Sequence, residues 1–404
     1  MTTNIETTET TEITSRHYLM LGLATLGFVL NFWAWALLSP LAVSFTTSLD
    51  LTSFQQSLLV AVPVVVGSVG RIPVGGLTDR YGGRVMFPIV SLLTVIPVLY
   101  LGLFGHSSLG ALLVGGFFLG IGGTAFAVGV PFVNAWFPPR RRGLAVGIFG
   151  AGMGGTAISA LTTVKLVDAH TTSTPFVITA IALTAYGVVA AVVLRDAPDR
   201  VVPTRSLSHR LRAALTLPIT WQAAALYAVG FGGYVACSVY LPTYLKNAYA
   251  LTPADASNRM AGFVLVAVVM RPVGGWLSDR MLPGSVLVAA FAVVAVGALV
   301  QSSTPSLAPL GTIVFLAMAA ALGTASGATF ALVAQRAPAA QVGSVTGVVG
   351  AAGGLGGFVP PLLMGSIFGH SGSYRNGLLA LAVVSVLVLL LAASMRRPPA
   401  PITA

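Results

Sequence analysis

A chain of 404 residues that is 56% hydrophobic and 8% charged, with a mean hydropathy of +0.91, has too little polar surface to cover a water-soluble globule. Its formal charge of +11 does not describe a nucleic-acid surface, because the cations recur in alternate loops between apolar stretches. With one cysteine no intrachain disulfide can form, and Cys237, inside an apolar stretch, reads as a small packing residue without a further role.

The chain opens on a Thr-rich, acidic stretch with no basic segment ahead of an apolar one, which predicts a disordered tail over 1–17 and no cleaved signal peptide. Six apolar stretches follow, centred near Phe28, Val66, Val95, Phe118, Ala157 and Ala185. Each has roughly the 20-residue length that a helix needs to cross a hydrocarbon core of about 30 Å. They form a first half, 18–194. The interval from Arg195 to Arg212 is the longest polar stretch between spans and predicts a linker over 195–218. Six more spans, centred near Gly233, Val268, Ala295, Ala321, Gly356 and Ser385, make a second half, 219–394, before a tail over 395–404. The expected fold is therefore an all-α polytopic membrane protein of twelve helices, whose even count returns both termini to one side. Of the 21 Lys and Arg, 15 fall on that side, among them Arg80, Arg84, Arg140 to Arg142 and the cations from Arg195 to Arg212. Lys165, Lys246, Arg259 and Arg375 lie on or near the other side. This positive-inside pattern predicts cytoplasmic termini in the cell's inner membrane.

The two halves repeat. Arg71 to Arg80 (RIPVGGLTDR) resembles Arg271 to Arg280 (RPVGGWLSDR), displaced by 200 positions. The same displacement aligns Pro138 with Pro338, Gly143 with Gly343, Gly147 with Gly347, Gly150 with Gly350 and Gly154 with Gly354. All ten carboxylates fall in the tail, in loops or at span ends, so no acid is placed within the membrane. Arg71 and Arg271 differ. Each stands eight residues, or about 12 Å of helix, from the Asp-Arg that closes its span, and so near the middle of the membrane. An arginine there costs roughly 2.5–3.5 kcal/mol, which makes a matched pair a candidate binding site. The competing reading is that each caps backbone carbonyls or snorkels to the interface. If both face one cavity, about 8 Å apart at an effective dielectric near 20, they repel by roughly 2 kcal/mol, and an anion between them relieves this. The planar donor fork of guanidinium suits a planar oxyanion better than the point charge of lysine does.

Two glycine-rich spans, Gly147 to Gly155 and Gly347 to Gly357, carry small residues along whole faces. Such faces serve close helix packing, and they also suit a small cavity wall, which points to a small ligand.

In these features the chain resembles the nitrate/nitrite porter family of the major facilitator superfamily, and the resemblance runs across all twelve spans. It implies that Arg71 and Arg271 bind substrate, and that the glycine runs, at Gly154, Gly155, Gly353 and Gly354, are the family's two signature segments. It implies further that Tyr227 and Phe231 line the anion site and that Phe126, twelve residues before Pro138, faces them, so that two rings sandwich a flat anion. Gly155 departs from the family pattern, which has Asn there, and the loss of that amide bears on affinity or on nitrate/nitrite preference. The loop from Gly75 through Asp79 and Arg80 to Arg84, with Asp279 and Arg280 as its second copy, is similar to a conformational latch common to the whole superfamily.

The expected activity is secondary transport of nitrate or nitrite by alternating access. With no membrane-buried acid or histidine to carry a proton, exchange of nitrate for nitrite is easier to rationalise than nitrate/proton symport, which stays the alternative beside carriage of formate, oxalate or cyanate. An enzyme or a sensor is disfavoured, because the chain has no sizeable soluble domain, no metal-spaced His/Cys cluster and no paired acids; His17, His106, His170, His209 and His370 lie near span ends or in loops. A multidrug exporter is disfavoured by two buried arginines. No cofactor, metal or nucleic acid is expected; the partners are a small inorganic anion and the bilayer, and the working unit is a monomer.

Overall fold

The computed structural model describes residues 13–138, 141–198, 200, 202, 204–338 and 341–396. Most of both expected tails, and Arg140 with its share of the charge pattern, lie outside the described residues. Among the described residues twelve helices are long and apolar enough to span a membrane, and each contains one of the centres read from the sequence. In chain order they are α1 (Ser15–Leu49), α2 (Ser53–Tyr81), α3 (Gly83–Leu103), α4 (Leu109–Trp136), α5 (Arg142–Ala169) and α6 (Thr174–Val193). The second six are α7 (Pro218–Tyr249), α8 (Pro253–Arg280), α9 (Pro283–Gln301), α10 (Leu307–Arg336), α11 (Ser344–Ser371) and α12 (Arg375–Ser394). The protein is a multi-pass membrane protein, with bulky apolar side chains such as Ile96, Val192 and Val269 facing outward where lipid replaces water. The side that carries both chain ends is called the terminal face below.

Helix packing repeats with the sequence. Within the first half α1 packs on α5, α2 on α4 and α3 on α6; within the second, α7 packs on α11, α8 on α10 and α9 on α12. Close approach depends on glycine at matched places. A Cβ at Gly123 would stand 2.9 Å from Gly67 across the α2–α4 seam, and one at Gly323 would stand 2.2 Å from the carbonyl oxygen of Ala267 across the α8–α10 seam. Between halves α2 runs along α11 and α5 along α8. A Cβ at Gly365 would collide with Ser57 near the face opposite the termini, and one at Gly354 would collide with Ser68 halfway through.

The halves differ in helix geometry. In α4 the turns Gly120–Thr124 tighten to 3-10 helix, and in α5 so do Ala151–Gly154, whereas α10 and α11 run as α-helix through the matching positions. The interval between α6 and α7 also holds structure that its polar sequence did not announce. A short amphipathic helix, Leu207–Leu215, lays Leu207 on Gly76 of α2, where a Cβ would meet the leucine at 2.4 Å.

Candidate functional site

Arg71 and Arg271 enter the interior from α2 and α8 at matched depth and are 3% and 1% exposed. Among the described residues neither is paired with a carboxylate. Arg71 donates from Nε to the carbonyl oxygen of Gly123 at 3.3 Å and from a terminal nitrogen to that of Gly350 at 2.6 Å. Its N–H groups thus do cap backbone carbonyls, as the competing reading had it, yet they do so in the interior, and Gly350 belongs to the other half. Arg271 donates to the Tyr227 hydroxyl oxygen at 2.9 Å and to the Met153 sulfur at 3.3 Å. The repeat persists across the interface: Arg71 lies against Gly350 and Arg271 against Gly150, where a Cβ would come within 2.5 Å of Nε.

Both guanidiniums pack on the same two rings. The Arg71 carbon lies 5.1 Å from the centroid of Phe126 and 5.3 Å from that of Phe231; for Arg271 the distances are 5.4 and 5.3 Å. The ring centroids are 6.1 Å apart with planes 20° from parallel. Each guanidinium carbon therefore sits about 4.3 Å from the midpoint of the ring pair, which holds the two carbons within about 9 Å of each other, a range where like charges repel appreciably in a low-dielectric interior. Ring faces offset part of the cost of burying two cations, about 2 kcal/mol for a desolvated contact.

The expected sandwich is not what forms. At 6.1 Å the rings are within direct stacking range of one another, so they make a shared apolar wall beside both arginines with no slot between them. Tyr227 stacks on Phe231 at 5.0 Å and meets Phe330 edge-on at 4.7 Å, which fixes the hydroxyl that receives Arg271. Two cavities approach from the terminal face. One of about 60 Å3 reaches Arg71 past Asp79, Leu207 and Leu211, and one of about 590 Å3 reaches Arg271 past Arg142, Asp279 and Phe330. Both are lined by Asn134 and Thr346. The arrangement presents fixed N–H donors, carrying positive charge and screened from water, to whatever enters by these cavities.

Residues 24–361 and 245–404 match the family model of the Major Facilitator Superfamily. The chain is 48% identical over 385 residues to the "Probable nitrate/nitrite transporter NarK2" of Mycobacterium tuberculosis, covering 93% of this chain and 96% of that one. It is 35% identical over 372 residues to the "Nitrite extrusion protein" of Bacillus subtilis, covering 92% and 93%. The chain belongs to the nitrate/nitrite porter family of the major facilitator superfamily. Among solved structures, the porter's fold is similar to the human organic anion transporter MFSD10, with TM-score 0.74 at 14% identity over 93% of this chain and 99% of that one. It is also similar to the Escherichia coli fucose:proton symporter FucP, with TM-score 0.69 at 18% identity over 94% and 99%. At such identities these two likenesses speak of fold alone.

Within the two glycine runs, Gly150 and Gly350 lie against the arginines, while Gly155, Gly353 and Gly354 face helix seams. A Cβ at Gly155 would lie 1.9 Å from the carbonyl oxygen of Val29, so that side of Gly155 faces the α1 backbone. An Asn side chain there would have no room. Gly353 backs the Tyr227 ring, where a Cβ would stand at 2.2 Å, and Gly354 faces Ser68 across the halves; Gly154 meets Val268 of α8 in ordinary contact. The residues that do touch the guanidiniums through backbone or sulfur are Gly123, Gly150, Met153 and Gly350. Gly150 and Gly350 are aligned by the repeat, as Gly123 is with Gly323, which was the available signal; nothing in the sequence marks Met153.

The two copies of the Asp-Arg loop motif have different neighbours. Asp79 pairs with Arg210 of the short linker helix, while Arg200 donates to the carbonyl oxygens of Asp79 and Arg80 at 2.9 and 2.8 Å and pairs with Asp196 at 3.3 Å. The Arg84 backbone N–H donates to Asp196 at 3.2 Å. Gly82, between the two, has φ +86°, a conformation open to glycine, and a Cβ there would stand 2.0 Å from the Asp196 carboxylate. Gly75 meets Ala127 in ordinary contact. In the second copy Asp279 faces Gly143 at the start of α5, and Arg280 lies over the Trp276 ring at 4.1 Å.

Proposed function

We propose that this porter carries nitrate and nitrite across the cytoplasmic membrane by exchanging one for the other. The observation that supports this most is a pair of buried arginines, one from each half, that share one aromatic wall. The names of the relatives agree with it. The anion takes N–H donors from Arg71 and Arg271 together, in charge-assisted bonds stronger than those to a neutral carbonyl or thioether. Tyr227 orients the Arg271 fork, and Phe126 and Phe231 keep water out. An anion bound to both arginines draws the halves 18–194 and 219–394 together, so that they rock as units about it. The terminal face is cytoplasmic in this reading, because the sequence pattern assigns 15 of the 21 Lys and Arg to that side. Each chain carries a complete arginine pair, and a single copy is the transport unit.

Exchange follows from the charge arithmetic. Two facing cations resist closing on each other, so the return step is favoured when an anion accompanies it. The test is uptake of labelled nitrate into liposomes containing the purified protein, with nitrite inside, with no anion inside, and with an inward proton gradient. Internal nitrite is expected to accelerate uptake. Uptake driven only by protons overturns exchange, and uptake of formate, oxalate or cyanate in place of nitrate overturns the substrate.

A further inference from the structure

On the side of the arginines away from the terminal face, the Ser39 hydroxyl donates to the carbonyl oxygen of Val239 across the halves, and a hydroxyl pair crosses between them deeper in the interior. The hydroxyl of Tyr234 in α7 meets the Thr156 hydroxyl of α5 at 2.9 Å and donates to the carbonyl oxygen of Met153 at 3.2 Å. The Thr156 hydroxyl oxygen lies 3.0 Å from that carbonyl, so two hydroxyl protons serve the three contacts. Tyr234 and Thr156 are both fully buried. Since α7 runs from the terminal face toward the opposite one, Tyr234 lies about 10 Å of helix beyond Tyr227 and on the same stripe, with Phe231 between them. From the arginines outward, α7 thus presents the Arg271 partner, the shared aromatic wall and then a hydroxyl bound to the other half.

Met153 joins this contact to Arg271. Its sulfur accepts from the Arg271 guanidinium, and its carbonyl holds Tyr234 and Thr156. It stands in the 3-10 stretch Ala151–Gly154, the kind of mid-helix tightening that marks a hinge. None of these residues has a counterpart at the 200-residue offset: Ala34, Gly353 and Gly356 occupy the matching positions. The repeat would build a symmetric seam, so a hydroxyl bridge present on one side alone answers to something other than packing.

We infer that Tyr234 and Thr156 latch the porter shut toward the opposite face, and that an anion engaging Arg271 releases the latch through Met153. This rests on the exchange reading above. A thioether is a weak acceptor and an anionic oxygen a strong one, so an anion at Arg271 displaces the Met153 sulfur. The hinge stretch is then held only by its carbonyl, and the two hydroxyls part as α5 swings. Tyr234 and Thr156 are positioning residues: they do not touch the anion, and they tie opening to its presence.

The experiment compares, in one set of vesicles, nitrate exchange against nitrite with efflux of preloaded nitrate into anion-free buffer. Tyr234→Phe and Thr156→Val are expected to raise the unaccompanied efflux about tenfold while lowering exchange less than threefold, and Thr156→Ser, which keeps the hydroxyl, to retain the original ratio. A purely structural role would lower both fluxes in parallel, and that result overturns the latch. A second arm does not depend on the substrate. Ser39, whose hydroxyl donates to Val239 across the halves, is replaced by cysteine in a Cys237→Ser background, and its reaction with an impermeant maleimide is followed in detergent. Tyr234→Phe is expected to speed this labelling about tenfold. An unchanged rate overturns the latch even if nitrate proves not to be the substrate, while faster labelling without any nitrate flux keeps the latch and overturns the exchange reading.

Discussion

Arg71 and Arg271 occupy equivalent positions in the repeat, pack on the same two rings and are held in different ways. Arg71 is fixed by backbone carbonyls, one of them in the 3-10 turns of α4, while Arg271 is held by a phenol and a thioether. Carbonyls move only with their helices, whereas side chains reorient within one. In the proposed site the first-half arginine would therefore be the anchor and the second-half arginine the adjustable arm. The repeat supplied two guanidiniums at one depth, and divergence around them made one rigid and the other responsive.

The largest expected effect tests what the arginines have in common. Arg71→Lys and Arg271→Lys each keep a positive charge and lose the planar fork, and each is expected to reduce nitrate uptake in vesicles by at least about 100-fold. Retained uptake in either would remove that arginine from the site. Next comes a matched pair that separates the two halves. Gly150→Ala forces a methyl against Arg271 and is expected to lower uptake about tenfold or more. Gly350→Ala meets the Phe126 ring at an ordinary 3.5 Å and is expected to cost less than threefold. Equal losses would break the distinction between anchor and arm. Tyr227→Phe sharpens it: removal of a hydrogen bond to a charged group, about 1.5–3 kcal/mol, is expected to raise the KM for nitrate about 10- to 100-fold with little change in maximal rate. The smallest effect on the anion itself is expected from Gly155→Asn. It should lower the melting temperature of the detergent-purified protein through its clash with the α1 backbone, while folded molecules bind nitrate with unchanged affinity. A gain in affinity would place that position in the site.

Much of this was legible in the sequence, and the reasons are specific. Span length and the 200-residue repeat placed all twelve helices, because hydropathy and self-similarity need no side-chain direction. Arg71 and Arg271 stood out because charge at that depth is costly and the repeat doubled it. The glycines were harder to read: a helix apolar on every side gives no moment to say which face looks inward, and Gly155 differs from Gly150 only by a rotation that composition does not record. Met153 was hidden for the same reason, since a thioether in an apolar span reads as packing until the geometry sets it beside a guanidinium. The linker helix was hidden by its own charge. Its arginines read as solvated loop, although Arg210 turns to Asp79 and Leu207 to Gly76.

The central claim is that one anion is held jointly by the two arginines. Nitrate affinity measured calorimetrically on the original protein, on Arg71→Lys, on Arg271→Lys and on the double variant tests it most directly. Joint binding predicts strong non-additivity: the second substitution should add less than about a third of its separate free-energy effect, because the first has already lost the shared ligand. Losses that simply add would mean that the arginines act independently, and would contradict the account.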